Sequence, residues 1–155
     1  MGTRSNICIV HNGKYYVMYQ QWDGYYSGKG LDIVKLLKSH SITWFKEKVE
    51  NLKVVEKDSE EWYNHYNTQK QLMGDKFRIG VINSVGELLK NEIWPQCDGY
   101  ENMNIEPKRD TFIEYVYTIN LDSDQLTVEG HESKATFQLD TLTVEFFESF
   151  AENNE

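Results

Sequence analysis

Apolar and polar residues alternate in two short runs near the start of the chain, Ser5 to Val10 and Lys14 to Gln21. Such alternation is typical of strands that bury one face. Asn12-Gly13 lies between the runs, and this dipeptide favours a type I′ turn because both of its residues readily adopt a positive φ. The pattern therefore predicts a β-hairpin that pairs residues 5–11 with 14–21.

Apolar residues then recur at helical spacing. Leu31 to Lys38 and Ile42 to Leu52 each place several apolar side chains on one side of a helix. Ser59 to Met73 is more polar, and we also interpret it as a helix. Phe77 to Ile82 fits either a short strand or a turn of helix.

The middle of the chain ends in a segment that contains both prolines. Ser84-Val85-Gly86-Glu87 has the form of a capping box, which predicts a helix from there to about Ile93. Trp94-Pro95 is expected to end that helix, because proline lacks the N–H that a helix interior needs. Residues 95–110 are predicted to form a loop.

Alternation returns in the last third of the chain, which predicts a meander of strands and a final helix. Asp140 is a candidate N-cap for that helix, and the tail, Ala151 to Glu155, is expected to fray. The predicted elements are strands at Thr111 to Asn120, Leu126 to Glu129 and Ala135 to Leu139, and a helix at Thr141 to Phe150.

Strands thus cluster at the two ends of the chain, with helices between them. This order predicts a single α+β domain over residues 1–155, the last five residues forming the frayed tail. We expect an antiparallel sheet of about five strands, made of the N-terminal hairpin and the C-terminal meander, with helices packed on it.

The net charge of -9 changes the picture of possible partners. It disfavours direct contact with nucleic acid, which needs clustered basic residues. From Asp110 onward, eleven acidic residues stand against the single Lys134. This acidic stretch either keeps the protein soluble or acts as a decoy for a nucleic-acid-binding protein. No apolar run approaches the ~18 residues of a membrane span, so no membrane association is expected.

Cysteine and histidine positions give no metal-binding pattern. Cys8 and Cys97 are far apart, and the four histidines are scattered, so we expect no metal and no cofactor. Cys8 alternates with isoleucines in a strand, which favours a packed thiol over a reactive one. Two unpaired cysteines and the lack of a signal peptide before the first strand favour a cytoplasmic protein.

The loop between the hairpin and the first helix has the most distinctive composition. It combines three glycines with Lys29 just before the predicted helix start. The N–H groups of a helix N-terminus can bind an anion, although the loop lacks the phosphate-binding glycine motifs. A purely structural turn is the alternative. No catalytic or metal-binding residue is assigned, and the candidate ligand- or partner-binding residues are Arg4, Gln21, Trp22, Asp23, Tyr25, Gly28, Lys29 and Gly30.

Arg4 and Asp23 flank the hairpin on either side. With a two-residue turn at Asn12-Gly13, Arg4 faces Gln21, two residues from Asp23. We therefore expect Arg4 and Asp23 to lie close together in space.

The N-terminal motifs resemble those of a family of small uncharacterised proteins from phages, bacteria, giant viruses and fungi. The resemblance is carried by Met1-Gly2-Thr3-Arg4, by Gln21-Trp22-Asp23-Gly24-Tyr25 with Ser27-Gly28-x-Gly30, and loosely by Tyr115 to Asp122. The family has no established function. It usually has proline where this chain has Tyr26, so a less rigid loop is expected here. Some relatives carry Cys at position two, as N-terminal-nucleophile hydrolases do, whereas Gly2 offers no nucleophile.

Three functions remain open. The first is a non-enzymatic intracellular binding module, possibly viral, whose 21–30 loop contacts a host or viral protein or a small anionic ligand. The second is a hydrolase or transferase for an anionic substrate, with Asp23 as acid/base and Lys29 or Arg4 as an electrostatic clamp. The third is the acidic decoy.

Overall fold

A computed structural model describes residues 2–155, so Met1 of the N-terminal motif lies outside the described residues. The strands are β1 (Ser5–His11), β2 (Lys14–Gln20), β3 (Lys53–Glu56), β4 (Ile93–Gln96), β5 (Tyr115–Asn120), β6 (Gln125–Glu129) and β7 (Lys134–Gln138). The helices are α1 (Leu31–Ser39), α2 (Ile42–Glu50), α3 (Glu60–Met73), α4 (Ile79–Ile82), α5 (Val85–Lys90) and α6 (Val144–Asn154).

The main sheet confirms the predicted α+β fold. Its five strands lie in the order β2-β1-β5-β6-β7. β1 and β2 pair antiparallel, with Ser5 opposite Gln20 and His11 opposite Lys14, as the Asn12-Gly13 turn predicts. β5, β6 and β7 form the predicted antiparallel meander.

The hairpin and the meander join through a parallel pair, β1 with β5, and this departs from a fully antiparallel sheet. A parallel neighbour needs a long crossover connection. Here the chain between β2 and β5 supplies it, and most of the helices lie in that segment.

The helices cover one face of this sheet. Alternate residues such as Ile7, Ile9, Tyr117 and Leu126 point to that side and are buried with residues of α1, α2, α5 and α6. The opposite face has a smaller apolar cluster of buried residues, Cys8, Val10 and Val17. The core therefore lies between the sheet and the helices, as the alternation in sequence requires.

A second, two-stranded parallel sheet was not predicted. This sheet pairs β3 with β4, and Pro95 lies inside β4, opposite Val55. The helix that was expected to end at Trp94-Pro95 therefore stops earlier, at Lys90. Proline is tolerated in an edge strand because its missing N–H need not pair. The expected loop over residues 95–110 therefore begins one or two residues later than predicted.

Gln96, at the end of β4, closes the outer edge of β2. Its Oε1 accepts from the Val17 N–H (3.0 Å), and its Nε2 donates to the Tyr15 carbonyl (3.0 Å). The Cys97 N–H adds a bond of 2.8 Å to the Val17 carbonyl. These bonds satisfy backbone N–H and C=O groups of an edge strand, which would otherwise be free to pair with a strand of another chain.

Two other boundaries differ from expectation. Residues 111–114 are not strand, because the Asp110 carboxylate accepts the N–H groups of Phe112 and Ile113 and holds a turn there. Of the two options left open for residues 77–82, the structure has the helical turn, over Ile79–Ile82. The last helix is capped by Thr143 rather than Asp140 and continues to Asn154, through most of the tail expected to fray.

Candidate functional site

The loop after β2 lies at the end of the sheet where β1 and β5 begin. The Gly24 N–H donates to the Thr3 carbonyl (2.9 Å), so the loop folds back along the chain that precedes β1. The Arg4 carbonyl accepts from the Glu114 and Tyr115 N–H groups, which ties the same segment to β5. Three stretches distant in sequence thus meet at this end of the sheet.

Two of the loop glycines are required by close packing. A Cβ on Gly28 would collide with the carbonyl oxygen of Asp23. One on Gly30 would lie 3.0 Å from the ring of Tyr117 and 3.1 Å from that of Phe147. The space that a side chain would need at Gly28 and Gly30 is therefore already filled by other parts of the protein, which matches the structural alternative for these two positions.

Tyr26 anchors the loop in the core. It is fully buried, and its ring packs against Tyr115 (centroid distance 5.0 Å) and Phe150 (5.0 Å). Its hydroxyl lies 2.7 Å from the Ser133 Oγ. The Tyr26 side chain therefore fixes the loop, and the expectation of a less rigid loop has no support in this packing.

The helix α1 begins at Leu31, as predicted, but helical backbone precedes it. A π-helical turn over Tyr26–Gly30 runs directly into α1. Within it, the Gly28 and Gly30 N–H groups donate to the Tyr25 carbonyl, and the Lys29 N–H donates to that of Asp23. The N–H groups expected to bind an anion are thus already bonded.

The first polar groups of that turn hold an anion from the chain itself. The Ser27 N–H donates to Glu155 Oε1 (2.6 Å), and the Ser27 hydroxyl donates to Glu155 Oε2 (2.9 Å). A carboxylate at the start of a helical segment is favourable because the peptide dipoles point their positive ends there. The tail expected to fray therefore contributes a contact to the loop.

The exposed side chains of the loop lie beside two aromatic residues, Tyr19 and Phe112, that were not among the candidate site residues. Trp22 is 60% exposed and Phe112 is 55% exposed. The Phe112 ring stacks on Tyr19 with centroids 6.0 Å apart, and the Tyr19 hydroxyl donates to Gln21 Oε1 (2.5 Å). We call the surface formed by Arg4, Tyr19, Gln21, Trp22 and Phe112 the aromatic surface.

Arg4 is held within this surface. Its guanidinium carbon lies 4.3 Å from the centre of the Phe112 ring, and its Nε donates to the Phe112 carbonyl (2.7 Å). Its backbone N–H donates to Glu114 Oε2 (3.2 Å). A cation over an aromatic face is attracted by the ring quadrupole, which fixes both groups in one geometry.

The segments that contain Arg4 and Asp23 run side by side, joined by the bond from the Gly24 N–H to the Thr3 carbonyl (2.9 Å), and the pairing of their side chains stays a prediction. The Asp23 carboxylate accepts from the Tyr25 hydroxyl (3.2 Å), a bond that raises the pKa of Tyr25, and the Asp23 backbone adopts a φ of 57°. Asp23 is exposed, whereas Lys29 is half-buried and lines a pocket with Asp32 and Ile33. The acid/base and clamp residues of the enzyme hypothesis are thus not gathered around one cavity.

Other candidate groups have structural roles. The Cys8 thiol is fully buried, and burial raises its pKa, so it is a packed residue as predicted. Asp110, Glu114, Asp122 and Glu155 each accept a backbone N–H from elsewhere in the chain. The acidic segment is therefore partly used to hold the fold, which weakens the case for a decoy.

Comparison with known proteins gives no further guide to function. No protein-family model, curated protein or solved structure matches the chain. Within residues 2–155, no helix combines the length and apolar character needed to cross a bilayer. The same residues contain no group of three or more His, Cys, Asp or Glu side chains that could hold a metal ion.

Sequence reasoning selected the loop but missed part of the surface around it. Phe112 lies about ninety positions away from Trp22 in the chain and belonged to a predicted strand. An exposed phenylalanine inside an alternating run gives no signal that it lies outside the strand. Tyr19 was likewise not among the candidate site residues.

Proposed function

We propose that the protein is a non-enzymatic binding module that contacts a partner protein through the aromatic surface. The observation that carries this proposal is the exposure of two large aromatic side chains, Trp22 at 60% and Phe112 at 55%, on chain segments that meet at the same end of the sheet. Tryptophan, tyrosine and arginine are the residues most enriched at energetically dominant contact positions.

The surface is already ordered before any partner arrives. Phe112 is stacked on Tyr19 and also contacts the Arg4 guanidinium, so two side chains hold its ring. Tyr26 anchors the adjoining loop in the core. Ordering side chains on binding costs about 0.5–1.5 kcal/mol for each immobilised group, and a surface held in place beforehand avoids much of that cost.

A protein is a better partner for this surface than a nucleic acid. Both signs of charge lie at the aromatic rings, because Arg4 and Lys57 lie over the rings of Phe112 and Tyr19 and Glu114 accepts from the Arg4 backbone N–H. Phosphate binding needs clustered positive charge, and the chain has a net charge of -9. Mixed charges around an aromatic centre are typical of protein interfaces.

We also propose that the module works in the cytoplasm, and that its partner is a host or viral protein. Cys8 and Cys97 are both free, which suits a reducing compartment. The viral setting rests on the resemblance of the N-terminal motifs and stays a prediction.

Site-directed photo-crosslinking in the protein's native cells tests this proposal. Benzoylphenylalanine replaces Phe112 in one variant and Phe146 in another; Phe146 is a matched control because it is 61% exposed on α6. We expect one discrete protein adduct from position 112 and none of that mass from position 146. The same adducts from both positions, or none from position 112, would refute the proposal.

A further inference from the structure

The segment between Trp62 and Ile82 projects from the rest of the fold. Trp62 and Ile82 are buried, at 7% and 2% exposure, whereas no residue between them is buried. The chain leaves the core along α3, reverses at Gly74, whose φ is 56°, and returns to Ile82 through α4. We call residues 63–81 the tip.

The tip is held in shape by its own contacts. The Tyr66 and Phe77 rings meet edge to face, with centroids 5.1 Å apart. Nη1 of Arg78 donates to the carbonyl oxygens of Asp75 (3.0 Å) and Phe77 (2.7 Å). These contacts close the turn around Gly74, so the residues on either side of the turn stay together.

Large aliphatic side chains of the tip lie uncovered. Leu72 is 75% exposed, the highest value among the large apolar side chains of residues 2–155. Ile79 is 57% exposed and Val81 is 39% exposed. Apolar side chains that are exposed on one unit mark a contact surface for a protein or a membrane, because leaving them in water is unfavourable.

The tip also differs in charge from the rest of the molecule. It has three basic residues, Lys70, Lys76 and Arg78, against one acidic residue, Asp75, in a chain with 16 basic and 25 acidic residues. All four side chains are exposed. An anionic surface therefore attracts the tip and repels the remainder of the protein, which turns the tip toward that surface. Salt screens the repulsion of charges that lie farther away than a Debye length, about 8 Å.

A lipid bilayer matches these residues better than an acidic protein does. Aromatic residues and arginine dominate the energetic centres of protein interfaces, whereas leucine and valine are under-represented there. Aliphatic side chains beside lysine and arginine are typical of segments that lie in the headgroup region of anionic membranes. The composition of the tip thus favours a lipid partner, and the composition of the aromatic surface favours a protein.

From these observations, we infer that the tip docks on an anionic lipid surface, with its aliphatic side chains at the headgroup level and its basic side chains beside the lipid phosphates and carboxylates. Such a contact needs no spanning helix, so it departs from the expectation drawn from the lack of a long apolar run. The cytoplasmic leaflet carries anionic lipids, which fits the proposed compartment. The tip shares no residue with the aromatic surface, so the two proposals can fail independently.

Co-sedimentation with lipid vesicles tests this inference. One set of vesicles contains phosphatidylcholine and phosphatidylserine in equal amounts, and the other contains phosphatidylcholine alone. We expect the wild-type protein to bind the anionic vesicles more tightly than the neutral ones, by about tenfold or more, because three basic residues meet the anionic headgroups. This preference should shrink as the salt concentration rises.

Two double variants separate the two kinds of contact. Lys70→Gln with Lys76→Gln removes charge, and Leu72→Asn with Ile79→Asn removes apolar surface. Each should weaken binding to the anionic vesicles by about tenfold or more, because charge attraction and apolar contact both support an interfacial segment. All four side chains are exposed, so the melting temperatures should stay close to that of the wild-type protein.

Matched controls change exposed groups outside the tip. Lys35→Gln with Lys108→Gln, and separately Phe146→Asn, should leave vesicle binding unchanged. Equal binding of the wild-type protein to both kinds of vesicle, or no binding, would overturn the inference and leave an acidic protein as the occupant of the tip. Unchanged binding in either double variant of the tip, or an equal loss in the controls, would also overturn it.

Discussion

At the scale of single residues, the hairpin turn shows how far a local signal reaches. Asn12 and Gly13 adopt φ values of 52° and 73°, the positive pair that a type I′ turn requires. This feature was predictable because the constraint lies in two adjacent residues. A Cβ on Gly13 would meet no atom within 4 Å, so its requirement is purely one of backbone conformation.

Replacing Gly13 by valine should therefore lower the free energy of unfolding by roughly 1 kcal/mol or more, because a β-branched residue resists positive φ. Urea denaturation measures the change. Gly80→Val is the control, since Gly80 also has open space around its Cβ position but no positive φ. Equal effects at the two positions would show that the turn conformation is not the cause.

Burial of individual loop residues was not predictable in the same way. Trp22, Tyr25 and Tyr26 lie within five positions of one another among glycines, and the local pattern treats them alike. Only Tyr26 is buried, because it alone meets Tyr115, Phe147 and Phe150 from the far end of the chain. The sequence therefore located the candidate site without separating its anchor from its exposed side chains.

At the scale of elements, the loop behaves as a packed unit fixed by one side chain. Tyr26→Ala should cost about 3–5 kcal/mol, the range for deleting a buried aromatic side chain. Tyr25→Ala, one position away and 37% exposed, is the matched control and should change stability little. Urea denaturation of both variants makes the comparison, and a similar loss in each would contradict the anchoring role of Tyr26.

A second contact between elements links the hairpin turn to the β5–β6 connection. The Asp122 carboxylate accepts the N–H groups of Asn12 (2.8 Å) and Gly13 (3.0 Å). These bonds hold the pKa of Asp122 below its ordinary value of 3.8. A carboxyl whose pKa is lowered by folding stabilises the protein above its unfolded pKa, and that contribution is lost as the pH falls through the folded pKa.

The stability difference between the wild-type protein and Asp122→Asn should thus shrink as the pH falls below about pH 4. Denaturation at a series of pH values measures it. Asp124→Asn is the control, because the Asp124 carboxylate is exposed and its contact with Lys46 Nζ is long, at 3.9 Å. A difference that does not change with pH would mean that the charge of Asp122 does not support the turn.

At the scale of the whole molecule, the sequence predicted the α+β class and the strands that alternate clearly. It did not predict the β3–β4 sheet, because each strand has only four residues and because Pro95 in β4 is a residue that usually argues against a strand. It also did not predict that β1 pairs parallel with β5, since that choice depends on the path of the long crossover between them. The aromatic surface is a product of this pairing, because the segments that precede β1 and β5 meet there.

The central claim is that this surface, rather than the glycine-rich backbone of the loop, forms the binding site. The most direct test is the affinity of the crosslinked partner, once identified, for Trp22→Ala, Phe112→Ala and the control Phe146→Ala, measured by calorimetry. We predict that the first two variants weaken binding at least tenfold, about 1.4 kcal/mol or more, while their melting temperatures stay close to that of the wild-type protein. Phe146→Ala should bind as the wild-type protein does. Unchanged affinity in both Trp22→Ala and Phe112→Ala would contradict the claim.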